Sequence, residues 1–187
     1  PDVMAAELGI EKFRYRSVPS AWSPETRPIY LLKDCPSMGY GATQKDPHAF
    51  DKQAELIAGF IQQYPSDWSG LILVTRRSEA QFLAGRLAKL GLQDRIWPFP
   101  EVGTEEQVRQ WEERKRRRPN SVGISWSLWE GFDGTSERIL CVAKIPFPNT
   151  GSPGSYENRR MRFDPKYYKL RAALQIEQGC GRIRRGN

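Results

Sequence analysis

Cysteine is scarce in this chain: Cys35, Cys141 and Cys180 are the only three, far apart and with no C-x-x-C pair. That spacing excludes a zinc ribbon and a dithiol redox motif, and an odd number argues against a disulfide framework. A reduced intracellular compartment is therefore the expectation, the cytoplasm ahead of a nucleus. Histidine is scarcer still, His48 alone; beside Asp46 and Pro47 it reads as a capping or surface residue rather than a metal ligand. Long apolar runs are missing too. With 39% hydrophobic and 27% charged residues and a mean hydropathy of −0.65, no stretch suits a membrane span. Pro1 to Ile10 lack the basic-then-apolar order of a signal peptide, and position 1 is not Met, which reads as a fragment or a processed product. No G-x-x-x-x-G-K-[ST] occurs anywhere, so the chain has no phosphate-cradling loop of that type.

What is present fits one domain with at most a small appendage: 187 residues are too few for two nucleotide-binding lobes. Lys and Arg outnumber Asp and Glu 29 to 22, a formal charge of +7 that favours a polyanionic partner without identifying one.

Residues 1–28, with Pro19, Pro24 and Pro28 amid Ser and charges, read as an extended lead-in, and 29–187 as the folded domain. Ile29 to Leu32 is an apolar run of strand type. Phe50, Ala54, Ile57, Ala58 and Ile61 recur at helical spacing as far as Tyr64. Gly70 to Thr75 is a continuous apolar run ending on a polar residue, as a parallel strand buried on both faces requires. Ser78 is positioned to cap a helix carrying Phe82, Leu83, Leu87 and Leu90, with Gly91 as its stop. Arg95 to Trp97 predicts a strand, and Thr104 opens a helix running into Arg114-Lys115-Arg116-Arg117-Arg118. Ser121 to Ser125 and Ile139 to Ala143 predict two more strands around a loop that starts at Trp129. Ile145 to Ser155 reads as a loop and Pro165 to Ile183 as a helix. Strands alternating with helices predict a three-layer α/β sandwich with a mainly parallel sheet.

Ligand sites in such folds lie at the C-terminal ends of the strands. That rule nominates Thr75-Arg76-Arg77, the Trp129 to Gly134 loop, the Ile145 to Ser155 loop and the start of the last helix. Two of the motifs carry specific chemistry. Gln178-Gly179-Cys180-Gly181-Arg182-Ile183-Arg184-Arg185 is a Q-x-x-G-R-x-x-R arrangement. Arg182 and Arg185, three apart on a helix, present two guanidinium forks in one direction, a geometry suited to a triphosphate. Gly181 permits close backbone approach. In Trp129-Glu130-Gly131-Phe132-Asp133, a Gly between two carboxylates frees backbone N–H groups for phosphates or a ribose, with Asp133 as acceptor. Trp126 and Trp129 suit either base stacking or core packing. The Arg114 to Arg118 run, and Arg159, Arg160 and Arg162, suit either a nucleic-acid backbone or a solvated helix face.

These two motifs, with Lys144-Ile145-Pro146-Phe147-Pro148 between them, resemble in order and spacing motifs V and VI of the XPD and DinG branch of superfamily-two DNA helicases. Leu8-Gly9-Ile10, Val18-Pro19-Ser20 and Arg27-Pro28-Ile29-Tyr30 resemble the entry to that family's second RecA-like domain, and Leu71 to Arg77 its motif IV. The resemblance implies a RecA-like fold of P-loop NTPase type without its own P-loop. It also implies that Arg182 and Arg185 are arginine fingers reaching the γ-phosphate of ATP, with Gln178 coupling nucleotide state to DNA. Gly131 and Asp133 would contact nucleotide or relay to the strand. Thr75, Arg76 and Arg77, with Trp129 and Glu130, would meet single-stranded DNA. The chain has no Asp-Glu-Ala-His box, so ATP and Mg²⁺ would be held mainly by a first RecA-like domain that it lacks; no metal is expected on this chain. The family continues past motif VI into a further strand, so the end at Asn187 reads as a truncation. The alternative is a stand-alone nucleic-acid-binding or regulatory module on a helicase scaffold.

Overall fold

The computed structural model describes residues 11, 12, 14, 16, 29–129, 137–149 and 155–180. Two compact units are distinguished, Pro1–Lys33 and Asp34–Asn187. Every strand and helix among the described residues belongs to the second. The lead-in, 1–28, lies almost wholly outside the described residues.

Among the described residues four strands form one sheet, all parallel, in the order β2-β3-β1-β4. They are β1 (Gly70–Leu73), β2 (Ile96–Pro98), β3 (Val122–Ser125) and β4 (Ile139–Val142). The α-helices around them are α1 (Tyr40–Lys45), α2 (Ala49–Gln62), α3 (Arg77–Leu87), α4 (Thr104–Arg117), α5 (Tyr156–Phe163) and α6 (Pro165–Cys180). This is the expected three-layer sandwich of RecA type.

The layers arise from the period-two alternation of strand side chains. Ile72 and Val74, Val122 and Ile124, and Ile96 face one way and meet Ala54, Ile57 and Ile61 of α2 and Ala80, Leu83 and Leu87 of α3. Leu71 and Leu73 face the other way and join Phe99, Leu128, Trp129 and Trp111 of α4. Both faces of β1 are thus covered, which is why its four residues read as an unbroken apolar run. Pro98 is tolerated because β2 is an edge strand.

Several details depart from the expectations. Ile29 to Leu32 are exposed and form no strand. An apolar tetrapeptide becomes a strand only when a partner takes up its backbone N–H and C=O groups, and no ladder among the described residues includes it. Ser78 does not cap α3; the N-cap is Arg76, two residues earlier, and no side chain closes the cap. Phe82 and Leu90 are partly exposed, whereas Leu83 and Leu87 are in the core. Gly91 does end the segment, at φ 85, a left-handed conformation that favours glycine. The sequence reading also missed the short helices α1 and α5, whose residues are polar enough to read as loop.

The basic run at the end of α4 is largely absorbed by the fold. Arg114 donates to Ser121 Oγ (3.1 Å) and to the Asp94 carbonyl (3.1 Å). Lys115 pairs with Glu112 at 2.8 Å and with Glu137 at 2.7 Å. Arg117 pairs with Glu113, and Arg118 with Asp94 at 3.3 Å. Much of that positive charge is neutralised at short range and adds less to a surface field than the count suggests.

Two glycines test the packing in opposite directions. On β3, a Cβ on Gly123 would lie 2.6 Å from Phe99 Cε2 and 3.3 Å from the Trp111 ring. On α3, a Cβ on Gly85 would meet nothing within 4 Å. Gly123→Ala should lower unfolding stability by about 1–3 kcal/mol through overpacking. Gly85→Ala should raise it by up to about 1 kcal/mol through helix propensity. Urea denaturation of the two variants checks both signs.

Candidate nucleotide and nucleic-acid interface

The register sets Leu73 level with Ser125 on one side and Val142 on the other. The segments after these strands therefore leave the sheet along one edge: Thr75 to Arg77 after β1, Trp126 to Trp129 after β3, and Lys144 to Asn149 after β4. Adjacent strands β1 and β3 send their downstream segments to opposite faces. After β1 comes α3, packed with the α2 layer, whereas Leu128 and Trp129 after β3 join the α4 layer. A reversal of this kind opens the crevice in which open α/β sheets bind ligands.

Thr75 is tied to Glu79 in the first turn of α3. Its backbone N–H (3.1 Å) and its hydroxyl (2.8 Å) both donate to Glu79 Oε2. The other carboxylate oxygen, Oε1, accepts from Lys144 Nζ at 2.8 Å. Burial by itself raises the Glu79 pKa, but the hydrogen bonds from Lys144 and Thr75 and the Lys144 charge together carry it below the usual carboxylate range. Neither donor of Thr75 remains for a phosphate. Arg76 is exposed, and Arg77 pairs with Glu101 beyond the end of β2.

Trp129 is a core residue, 4% exposed, so of the two roles open to it in sequence the packing role is the one observed. Its indole N–H donates to the Val74 carbonyl at 2.8 Å, a bond that ties the start of the W-E-G-F-D loop to the end of β1. Trp126 is partly buried against both core clusters. Ser125 Oγ accepts from the N–H groups of Ser127 (3.2 Å) and Leu128 (3.1 Å), which shapes the turn leading there. Glu130, Gly131 and Asp133 lie outside the described residues. On the far side of that loop Glu137, 1% exposed, is held at Oε1 by Trp111 Nε1 (2.6 Å) and Lys115 Nζ (2.7 Å). A carboxylate this buried requires such partners. Both stems of the loop are therefore pinned.

Gly179 seats the last helix. A Cβ there would lie 2.9 Å from Leu73 Cδ1 and 3.1 Å from Trp129 Cε3. The Q-x-x-G-R-x-x-R segment thus starts against the end of β1 and the stem of the W-E-G-F-D loop. Gln178 is exposed; Gly181, Arg182 and Arg185 lie outside the described residues. Cys180 beside it has its thiol pKa raised by burial and by Glu177. Cys141 is pushed up to about 12, by burial first and then by Cys35. Such thiols remain protonated and unreactive near neutrality. Among the described residues no three His, Cys, Asp or Glu side chains are grouped to hold a metal, and no helix is long and apolar enough to cross a membrane.

Sequence reasoning missed Glu79, Glu137 and Gly179. Glu79 carried a usable signal, an acid in the first turn of a helix after a strand. For Glu137 and Gly179 the signal was a partner distant in sequence, which no local pattern reveals.

Two measurements check this geometry. Because the folded-state pKa of Glu79 is depressed, its contribution to stability is present above the unfolded-state value and is lost as pH falls through the folded one. Glu79→Gln should lower the urea midpoint near neutrality, and the difference from the parent should shrink once pH falls below about 4.3, the ordinary glutamate value, and close only after the lower folded-state value has been passed. Gly179→Val forces a branched side chain against Leu73 and Trp129. It should cost about 1–3 kcal/mol by overpacking, and a urea midpoint equal to the parent's would contradict the seat described for α6.

No curated protein matches the chain. Residues 63–187 match the model of a helicase C-terminal domain, the one found in XPD/DinG-type helicases. That match takes in the whole parallel sheet and the helices α3 to α6, beginning just after α2 ends, so the sheet and its C-terminal edge are those of the matched domain. The chain belongs to the helicase C-terminal domain family and is a C-terminal RecA-like domain of a helicase motor.

Proposed function

We propose that this domain is the second motor domain of an ATP-dependent DNA helicase of the XPD and DinG branch of superfamily two. A first RecA-like domain holds ATP and its Mg²⁺, and this chain completes the site from the other side. Arg182 and Arg185 meet the charge that develops on the transferred γ-phosphoryl oxygens, the role of arginine fingers. Gln178 couples nucleotide state to DNA, while Gly131 and Asp133 of the W-E-G-F-D loop touch nucleotide or relay its state. Exposed Arg76, with Arg77 and Glu130, faces the single strand. Thr75 and Trp129 act there by shaping the edge rather than by touching DNA, since Thr75 donates to Glu79 and Trp129 to Val74.

The observation that supports this reading best is the seat of α6. Gly179 lets the helix lie against Leu73 and Trp129. Two motifs that open at Trp129 and Gln178, far apart in sequence, therefore begin at one point on the edge. A change at one is felt at the other through packed, incompressible side chains.

The test is ATP hydrolysis. The isolated chain should hydrolyse none. Joined to a first RecA-like domain carrying a Walker A loop, it should hydrolyse ATP in a manner stimulated by single-stranded DNA. Arg182→Ala or Arg185→Ala should lower that rate by about 10³–10⁵. Hydrolysis by the chain alone, or a loss of only a few-fold in both variants, would overturn the motor reading and leave a nucleic-acid-binding module.

A further inference from the structure

We propose that Lys144, held in place by Glu79, is a phosphate contact for the single strand at the C-terminal edge, in the role that sequence reasoning assigned to Thr75. This inference rests on the single-strand part of the proposed function. It concerns which donor the edge presents.

The donor inventory decides between the two residues. A nucleic-acid phosphate offers only acceptor oxygens, so its partner must bring an uncommitted N–H or O–H. Thr75 has one backbone N–H and one hydroxyl hydrogen, and both are given to Glu79 Oε2 at 3.1 and 2.8 Å. Its remaining hydroxyl capacity is lone pairs, which repel a phosphate. Lys144 brings three N–H donors and a full positive charge, and Glu79 Oε1, at 2.8 Å, engages it from one side. Its side chain is 26% exposed, and that of Glu79 14%, so the cation is the more accessible member of the pair.

Placement agrees with that inventory. Lys144 comes after β4, which pairs with the central strand β1 in a register that sets Val142 level with Leu73. It therefore leaves the sheet on the same edge and at the same level as Thr75 and Arg76. Glu79 spans the two segments, one oxygen to each, so the ammonium is oriented before any ligand arrives. Preorganisation of this kind reduces the side-chain entropy lost on binding. Glu79 is thus a positioning residue, acting through Lys144. Its carboxylate remains ionised near neutrality because its pKa is depressed.

The experiment is the salt dependence of binding between the full chain and an unstructured oligodeoxythymidylate, read by fluorescence anisotropy, with thermal melting confirming that each variant is folded. Each phosphate neutralised on a single strand contributes about 0.7 to the slope of log K against log salt. Lys144→Met should reduce the slope by about 0.7 and weaken binding roughly threefold to tenfold at low salt. Lys144→Arg should keep the slope. Thr75→Val, which removes the hydroxyl and keeps the shape, should leave the slope unchanged. Glu79→Gln should weaken binding less than Lys144→Met while retaining most of the slope, because the cation is still present but no longer oriented.

A Lys144→Met slope equal to the parent's, or a Thr75→Val slope reduced as much as that of Lys144→Met, overturns the assignment and leaves the motor reading standing. A parent chain with no affinity for the oligonucleotide even at the lowest salt overturns both this assignment and the single-strand part of the proposed function.

Discussion

The structure depends on the pairing of β1 on both sides. Gly70 to Leu73 are bonded in parallel to β3 and to β4, residue for residue, so one strand takes up partners from two later parts of the chain. Parallel pairing of this kind cannot be made by a tight turn and requires crossovers that return to the same end of the sheet. Three strands then stop at one level, and the segment after each of them emerges on one edge. The close approach at the start of β1 belongs to the same constraint: a Cβ on Gly70 would stand 2.9 Å from Ile139 Cβ and 3.1 Å from its carbonyl oxygen. A larger residue there would move β4, and with it Lys144.

That edge is held by polar atoms that have specific partners. Glu79 ties the segment after β1 to the segment after β4. The Trp129 indole ties the segment after β3 to the last apolar residue of the β1 run. Glu137, with Trp111 and Lys115, anchors the other stem of the W-E-G-F-D loop from the α4 layer. Inside a protein each such group is costly if left unsatisfied and strongly directional if satisfied. The consequence is stiffness: the segments that leave the sheet on this edge are joined by contacts that do not stretch.

Net charge is a poor guide to where this domain carries unneutralised positive charge. The +7 of the sequence includes the run at the end of α4, whose members Arg114, Lys115, Arg117 and Arg118 are spent on nearby acids, carbonyls and a serine hydroxyl. Lys144, one residue among the 29 cations, sits instead where three strands end. The physical reason is that Coulomb attraction at a few ångströms, with hydrogen bonding, outweighs the diffuse field of the whole chain.

The sequence by itself determined the elements whose signal is local. The unbroken apolar run of β1, the helical spacing from Phe50 onward, the stop at Gly91 and the alternation of strands and helices were all legible. So were the Q-x-x-G-R-x-x-R and W-E-G-F-D motifs that carry the family resemblance. Only the tertiary structure decided matters that turn on partners distant in the chain. It left Ile29 to Leu32 without a ladder among the described residues, made Trp129 a core residue, and gave both donors of Thr75 to Glu79. It also made Gly179 the point where α6 touches Leu73 and Trp129. Periodicity and capping report what a segment does with its own backbone. Which side chain occupies a given donor or fills a given gap depends on residues elsewhere in the chain, and those meet only when the sheet closes around β1.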